Sequence, residues 1–148
     1  MTPQRVTLIT LGVADLARAK GFYASLGWHE TRPQEGVAFF QMHGAVLGLF
    51  PLDELAKDQD RPGATLGTGA MTLAQNFATE GEVDAAWAAA MAAGAAPLKR
   101  PQKVFWGGYS GYYADPDGHV WEVAMNPFWP LAEDGSLTLP GENGVGAA

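Results

Sequence analysis

The sequence predicts an α+β protein built of two βαβββ modules whose sheets curve around a shared cleft. Three observations carry that expectation. The same order of elements occurs twice along the chain. The glycines that would stop the two helices, Gly27 and Gly94, lie 67 residues apart, and so do the acidic residues that would open them, Asp15 and Glu82. Finally, 19 glycines accompany five Trp, four Tyr and seven Phe, a composition suited to tight turns and to large side chains lining a cavity. A module this small cannot bury its sheet alone, so the two are expected to pair.

The elements follow in order. Residues 6–11 are short and β-branched, the pattern of a buried strand. Asp15 can cap a helix whose inner face is Leu16, Ala19, Tyr23 and Leu26, with Gly27 as its stop. Strands are expected at 28–31, 37–42 and 45–50, separated by Pro33, Gly36 and Gly44. These make a first module over residues 1–52. Residues 53–68 are polar and rich in Gly, Pro and Asp, and read as a linker that opens with a helical turn.

The second module is expected over residues 69–126. A strand at 70–77 precedes an Ala-rich helix at 82–93, with Val83, Ala86, Trp87, Ala90 and Met91 at helical spacing and Gly94 at its end. Strands at 97–99, 108–114 and 119–124 complete it. Asp115-Pro116-Asp117-Gly118 between the last two is a strong turn signal. Residues 127–148 form a tail, of which 141–148 are expected to be disordered.

Composition narrows the function. With 47% hydrophobic and 17% charged residues the chain is globular. It has no cysteine, which removes thiolate nucleophiles, disulfides and cysteine-ligated metals. No apolar run is long enough to span a bilayer and no export signal is visible, so a cytoplasmic location is expected, with no membrane partner. The formal charge of −7 and the scattered cations argue against nucleic acid. Ser25, Ser110 and Ser136 lie in no nucleophile motif, and there is no phosphate-binding glycine loop.

Two segments carry a family likeness. One is Leu11-Gly12-Val13-Ala14-Asp15-Leu16-Ala17-Arg18-Ala19 with Phe22-Tyr23 and Leu26-Gly27. The other is Asp115-Pro116-Asp117-Gly118-His119-Val120-Trp121-Glu122-Val123. Together with the repeat, they make residues 5–125 resemble the vicinal oxygen chelate superfamily of glyoxalases, bleomycin-resistance proteins and extradiol dioxygenases. The resemblance implies the glyoxalase-like fold, a homodimer, and four metal-ligand slots on the first and last strand of each module. Carried over by position, the slots fall on Leu8, Gly48, Gln75 and Glu122, Gln75 being the residue 67 after Leu8. Leu8 and Gly48 offer no donor atom, and two oxygen donors do not make a tight transition-metal site. No cofactor and no divalent metal are therefore expected. His29, His43 and His119 fall in none of the slots.

Strand alternation puts Val120, Glu122 and Ala124 on one face, and Trp121 and Val123 on the other. If the Trp121 face packs on the helices, Glu122 points into the cleft. There it would serve as general base or acid, or stand as a relic hydrogen-bonded to Gln75. The aromatic–glycine run from Phe105 to Tyr113 suits a ligand wall, though aromatics in strands more often belong to a core or a dimer interface; Trp106 and Tyr109 are its candidates at a cavity mouth, and Phe39, Gln41 and Phe50 would complete the pocket from the first module. Two functions are expected as alternatives: metal-free binding of a small organic molecule in an aromatic-lined cleft, or a lyase or isomerase of the glyoxalase kind using Glu122. A third is a domain acting only through its dimer surface.

Overall fold

In the computed structural model, residues 1–141 are described; the disorder expected at 141–148 therefore falls, from residue 142 onward, outside the described residues. The chain divides into two units. The first holds residues 1–70 and the turn at 116–119, and the second holds 71–115 and the chain from 120.

In the first unit, β1 (Leu8–Val13), β2 (Ala38–Gln41) and β3 (Val46–Pro51) form a sheet of order β1-β3-β2. β1 runs parallel and β2 antiparallel to β3. One face is apolar: Leu11, Val13, Ala38, Phe40, Leu47 and Leu49 are buried together with Ala19, Phe22 and Tyr23 of α1 (Leu16–Ser25). Asp15 caps α1, its side chain accepting from the Arg18 N–H at 3.0 Å, and Gly27 closes it at φ +90°.

The strand expected at 28–31 does not form, so this module is βαββ. The Trp28 N–H is drawn back to the Tyr23 carbonyl at 3.2 Å, and its indole stacks on the Tyr23 ring with centroids 5.2 Å apart. Stacking on the helix end outweighs the strand propensity of a Trp. The linker does open with helix: α2 (Leu52–Asp58) packs on β1 and β3, with Leu52 and Leu55 against Gly12.

The 116–119 turn is fastened to the β1–α1 junction. Asp117, its side chain only 4% exposed, accepts from the Ala14 N–H at 2.8 Å and from Arg18 Nη2 at 3.0 Å. His119 Nε2 lies 2.6 Å from the Gly12 carbonyl oxygen. The Asp-Pro-Asp-Gly signal is thus a turn whose second aspartate also serves as an anchor.

The second unit has the full βαβββ order, with β4 (Thr72–Asn76), α3 (Glu80–Ala92), β5 (Ala96–Lys103), β6 (Tyr109–Ala114) and β7 (Val120–Met125). The sheet order is β4-β7-β6-β5. Val83, Trp87 and Ala90 of α3 are buried with Tyr113, Trp121 and Val123, so the Trp121 face does pack on the helix.

The helix begins earlier than expected. Its cap is Thr79, whose hydroxyl accepts from the Glu82 N–H at 3.1 Å. The caps Asp15 and Thr79 are therefore 64 residues apart while the glycine stops are 67 apart, because α3 has 13 residues and α1 has 10. No helix among the described residues is long and apolar enough to cross a membrane.

Candidate functional site

Glu122 stands in the middle of β7, between β4 and β6. Opposite it lie Ala74 on β4 and Tyr112 on β6, and Lys99 of β5 lies opposite Tyr112 in turn. Residues paired in register share a face, so this row runs across the side of the sheet turned away from α3. The next row is Asn76, Ala124 and Ser110. Small side chains thus surround a half-buried carboxylate. The Tyr112 hydroxyl donates to it, and burial first, then the Glu122 charge and that hydrogen bond, raise the Tyr112 pKa above the usual phenol value.

Gln75 does not join this row. It pairs with Val123 rather than Glu122, and so lies on the face that packs on α3. The hydrogen bond envisaged between Gln75 and Glu122 is replaced by one from Tyr112. The cause is the length of α3: the 67-residue offset holds only at the helix ends, and the strands before the helices obey 64. Leu8 lies opposite Val46, two residues before Gly48, and the equivalent residue opposite Val120, two before Glu122, is Thr72.

Tyr109 also departs from expectation. It is on the α3 side, where its hydroxyl donates to Asp84 Oδ1 at 2.7 Å. That bond first, then burial, raises its pKa. Trp106 sits in the turn between β5 and β6, held by the Val104 N–H to the Gly108 carbonyl at 3.0 Å, and its ring folds over Gly108. Phe105 beside it is fully exposed.

Phe39, Gln41 and Phe50 do share a face in the first sheet. Phe39 is opposite Gly48 and Gln41 opposite Val46, and Phe50 follows by alternation. The Gln41 amide is spent locally, donating to the Met42 carbonyl at 3.0 Å. A Cβ on Gly48 would lie 3.3 Å from Phe39 Cε1 and 3.4 Å from Thr10 Oγ1, so the phenyl ring occupies the space a slot side chain would need.

The donor set does not fit the metal centre that the resemblance implies. The first unit supplies Leu8 and Gly48, neither with a donor. The second supplies Glu122, already bonded to Tyr112, and Thr72 with a neutral hydroxyl. Among the described residues no group of three or more His, Asp or Glu could hold a metal ion. Sequence reasoning missed Tyr112, although the signal was present. With Ala114 and Val120 closing the hairpin, counting two residues away from the turn on each strand pairs Tyr112 with Glu122.

The comparisons agree with this architecture. The model of the Glyoxalase/Bleomycin resistance protein/Dioxygenase superfamily matches residues 5–123. A glyoxalase-related enzyme from Fulvimarina pelagi is 38% identical over 94% of this chain and 100% of that chain, with a TM-score of 0.85. A lactoylglutathione lyase from Agrobacterium tumefaciens is 25% identical over 88% and 100%, with a TM-score of 0.67. A glyoxalase/dioxygenase from Nostoc punctiforme is 26% identical over 84% and 92%, with a TM-score of 0.62. No curated protein matches the chain. On the strength of the family match and these likenesses, the chain belongs to the glyoxalase/bleomycin resistance protein/dioxygenase superfamily.

Proposed function

We propose that this chain binds a small organic molecule on the face of its second sheet turned away from α3, with Glu122 as the polar anchor and without a metal. The observation that carries the reading is Glu122 itself: a half-buried carboxylate bonded by Tyr112 and flanked by the short side chains of Ala74, Ala124 and Ser110. Titration with a library of small aromatic and cationic compounds, followed by Trp fluorescence, tests it. At least one compound is expected to shift the emission of the native chain and to lose that effect in Glu122→Gln. A silent library would overturn the reading, and stoichiometric metal found by elemental analysis of the purified chain would overturn its metal-free part. The proposal includes a homodimer, which the family likeness implies; sedimentation at the mass of a single chain would remove it.

A second reading has its own support in the pairing of a carboxylate with a phenol and in the similarity to a lactoylglutathione lyase. Here Glu122 acts as a general base, taking a proton from a hydroxyl-bearing carbon next to a carbonyl and returning it to the former carbonyl carbon, while the hydroxyl proton passes to the carbonyl oxygen, so that the two carbons exchange oxidation levels. The enolate oxygen would rest on hydrogen bonds alone. Turnover unchanged in Glu122→Gln would end this reading.

A further inference from the structure

We propose that the Glu122 site selects its ligand through an N–H donor, a cation above all, and rejects carboxylates, with Tyr112 as the positioning residue. This rests on the binding reading above and names the class of molecule bound. A carboxylate can accept about four hydrogen bonds. Among the described residues Glu122 has one partner, the Tyr112 hydroxyl. The rest of its accepting capacity faces whatever lies over the sheet.

Nothing on the adjoining strands neutralises it. On this face β4 places Ala74 opposite Glu122, with Thr72 and Asn76 on either side, and β6 places Tyr112 opposite, with Ser110 and Ala114 on either side. All are uncharged. The nearest cation in the sheet is Lys99, one strand beyond Tyr112, or roughly 10 Å from Glu122 at the usual strand spacing. A ligand ammonium or amidinium would meet an ion partner and form charge-assisted hydrogen bonds. A ligand carboxylate would meet a like charge and lose water without compensation.

Tyr112 gives the site its direction. Its hydroxyl occupies one side of the carboxylate and so fixes which lone pairs are left for the ligand. Burial and the Glu122 charge also keep the phenol protonated, so it stays a donor and never adds a second anion.

Three probes of equal ring size test the idea on the full chain at neutral pH and low salt: benzamidine, benzamide and benzoate, with dissociation constants from NMR titration. Benzamidine is expected to bind at least about tenfold tighter than benzoate, since a hydrogen bond to a charged group is worth about that factor or more. Glu122→Gln is expected to bring the two within about twofold while benzamide binding persists. Tyr112→Phe is expected to weaken benzamidine several-fold and leave benzamide unchanged, whereas a merely structural role would move all three probes alike. Benzoate binding as tightly as benzamidine would overturn the proposal and leave the binding reading standing. So would the failure of all three probes while other aromatic compounds still shift the fluorescence, or a benzamidine preference that survives in either variant. Silence from the probes and the wider library together would remove the binding reading itself.

Discussion

Gly48 and Glu122 hold the same place in the two modules, the middle of the central strand that receives a parallel neighbour on one side and an antiparallel one on the other. Their rows are Thr10–Gly48–Phe39 and Ala74–Glu122–Tyr112. Each antiparallel neighbour carries a six-membered aromatic ring. In the first sheet the ring has no hydroxyl and leans over the glycine, 3.3 Å from where a Cβ would be. In the second it has one, and bonds the glutamate. The first face is further covered at its Gly12 end by Leu52 of α2. Equivalent strands thus carry a carboxylate on one sheet and a ring over a glycine on the other. The difference comes down to one hydroxyl and one carboxylate.

The comparison can be broken most severely at Gly111. This residue lies beside Tyr112 on β6, and a Cβ there would sit 2.8 Å from both the Lys99 carbonyl oxygen and the Pro101 nitrogen. Those are backbone atoms of the irregular strand β5, whose register shifts twice against β6. They cannot swing aside as a side-chain end can. Gly111→Ala is expected to cost about 3 kcal/mol or more, at the upper end of overpacking effects, read as a lowered urea midpoint. A midpoint like that of the native chain would mean that β5 is not seated so closely, and that the Tyr112–Glu122 row does not depend on it.

A smaller effect tests the same strand at Tyr113. Burial first, then the Asp115 charge, push the Tyr113 phenol well above its ordinary value. The folded chain therefore keeps a proton that the unfolded chain releases above about pH 10. Stability from this source is intact below that pH and is lost as pH rises beyond it, by at most about 1.4 kcal/mol per pH unit. Tyr112 shifts in the same direction. Urea unfolding at increasing alkaline pH should show a steeper decline for the native chain than for Tyr113→Phe. Parallel curves would mean that Tyr113 is not shielded from water.

The fold was legible because its signals are local and repeated: capped helices with glycine stops, short β-branched strands, and one strong turn. The site was legible only in part, and the reasons are particular. Glu122 followed from strand alternation, which needs no long-range information. Gln75 was misplaced because α3 gained a turn's worth of residues at its start, shifting the register between repeats by three. Thr79-Glu80-Gly81-Glu82 carries the spacing of a capping box and marks that start. Trp28 could not have been placed, since nothing local says that an indole will stack on Tyr23 instead of entering a strand. Asp117 read as a turn residue; its bonds to Ala14 and Arg18, about a hundred positions away, are tertiary facts.

The finest test of the comparison is Gly48→Ala, where two effects of similar size oppose each other. Glycine inside a strand costs roughly 0.5–1 kcal/mol relative to alanine, because the unfolded chain gains freedom. Replacing it should recover that amount if the added methyl has room. The methyl would instead press on Phe39 at 3.3 Å and on the Thr10 hydroxyl at 3.4 Å, so a ring that must shift by a few tenths of an ångström gives part of the gain back. The net change is expected to lie within about 0.5 kcal/mol of zero. Its sign is less informative than its dependence on the ring. In a Phe39→Ala background the same substitution should stabilise by roughly the full 0.5–1 kcal/mol, giving a coupling energy at the low end of those measured for residues in contact. Additive effects in this double-mutant cycle would show that Phe39 does not close the space over Gly48. Only the missing carboxylate would then separate the two faces.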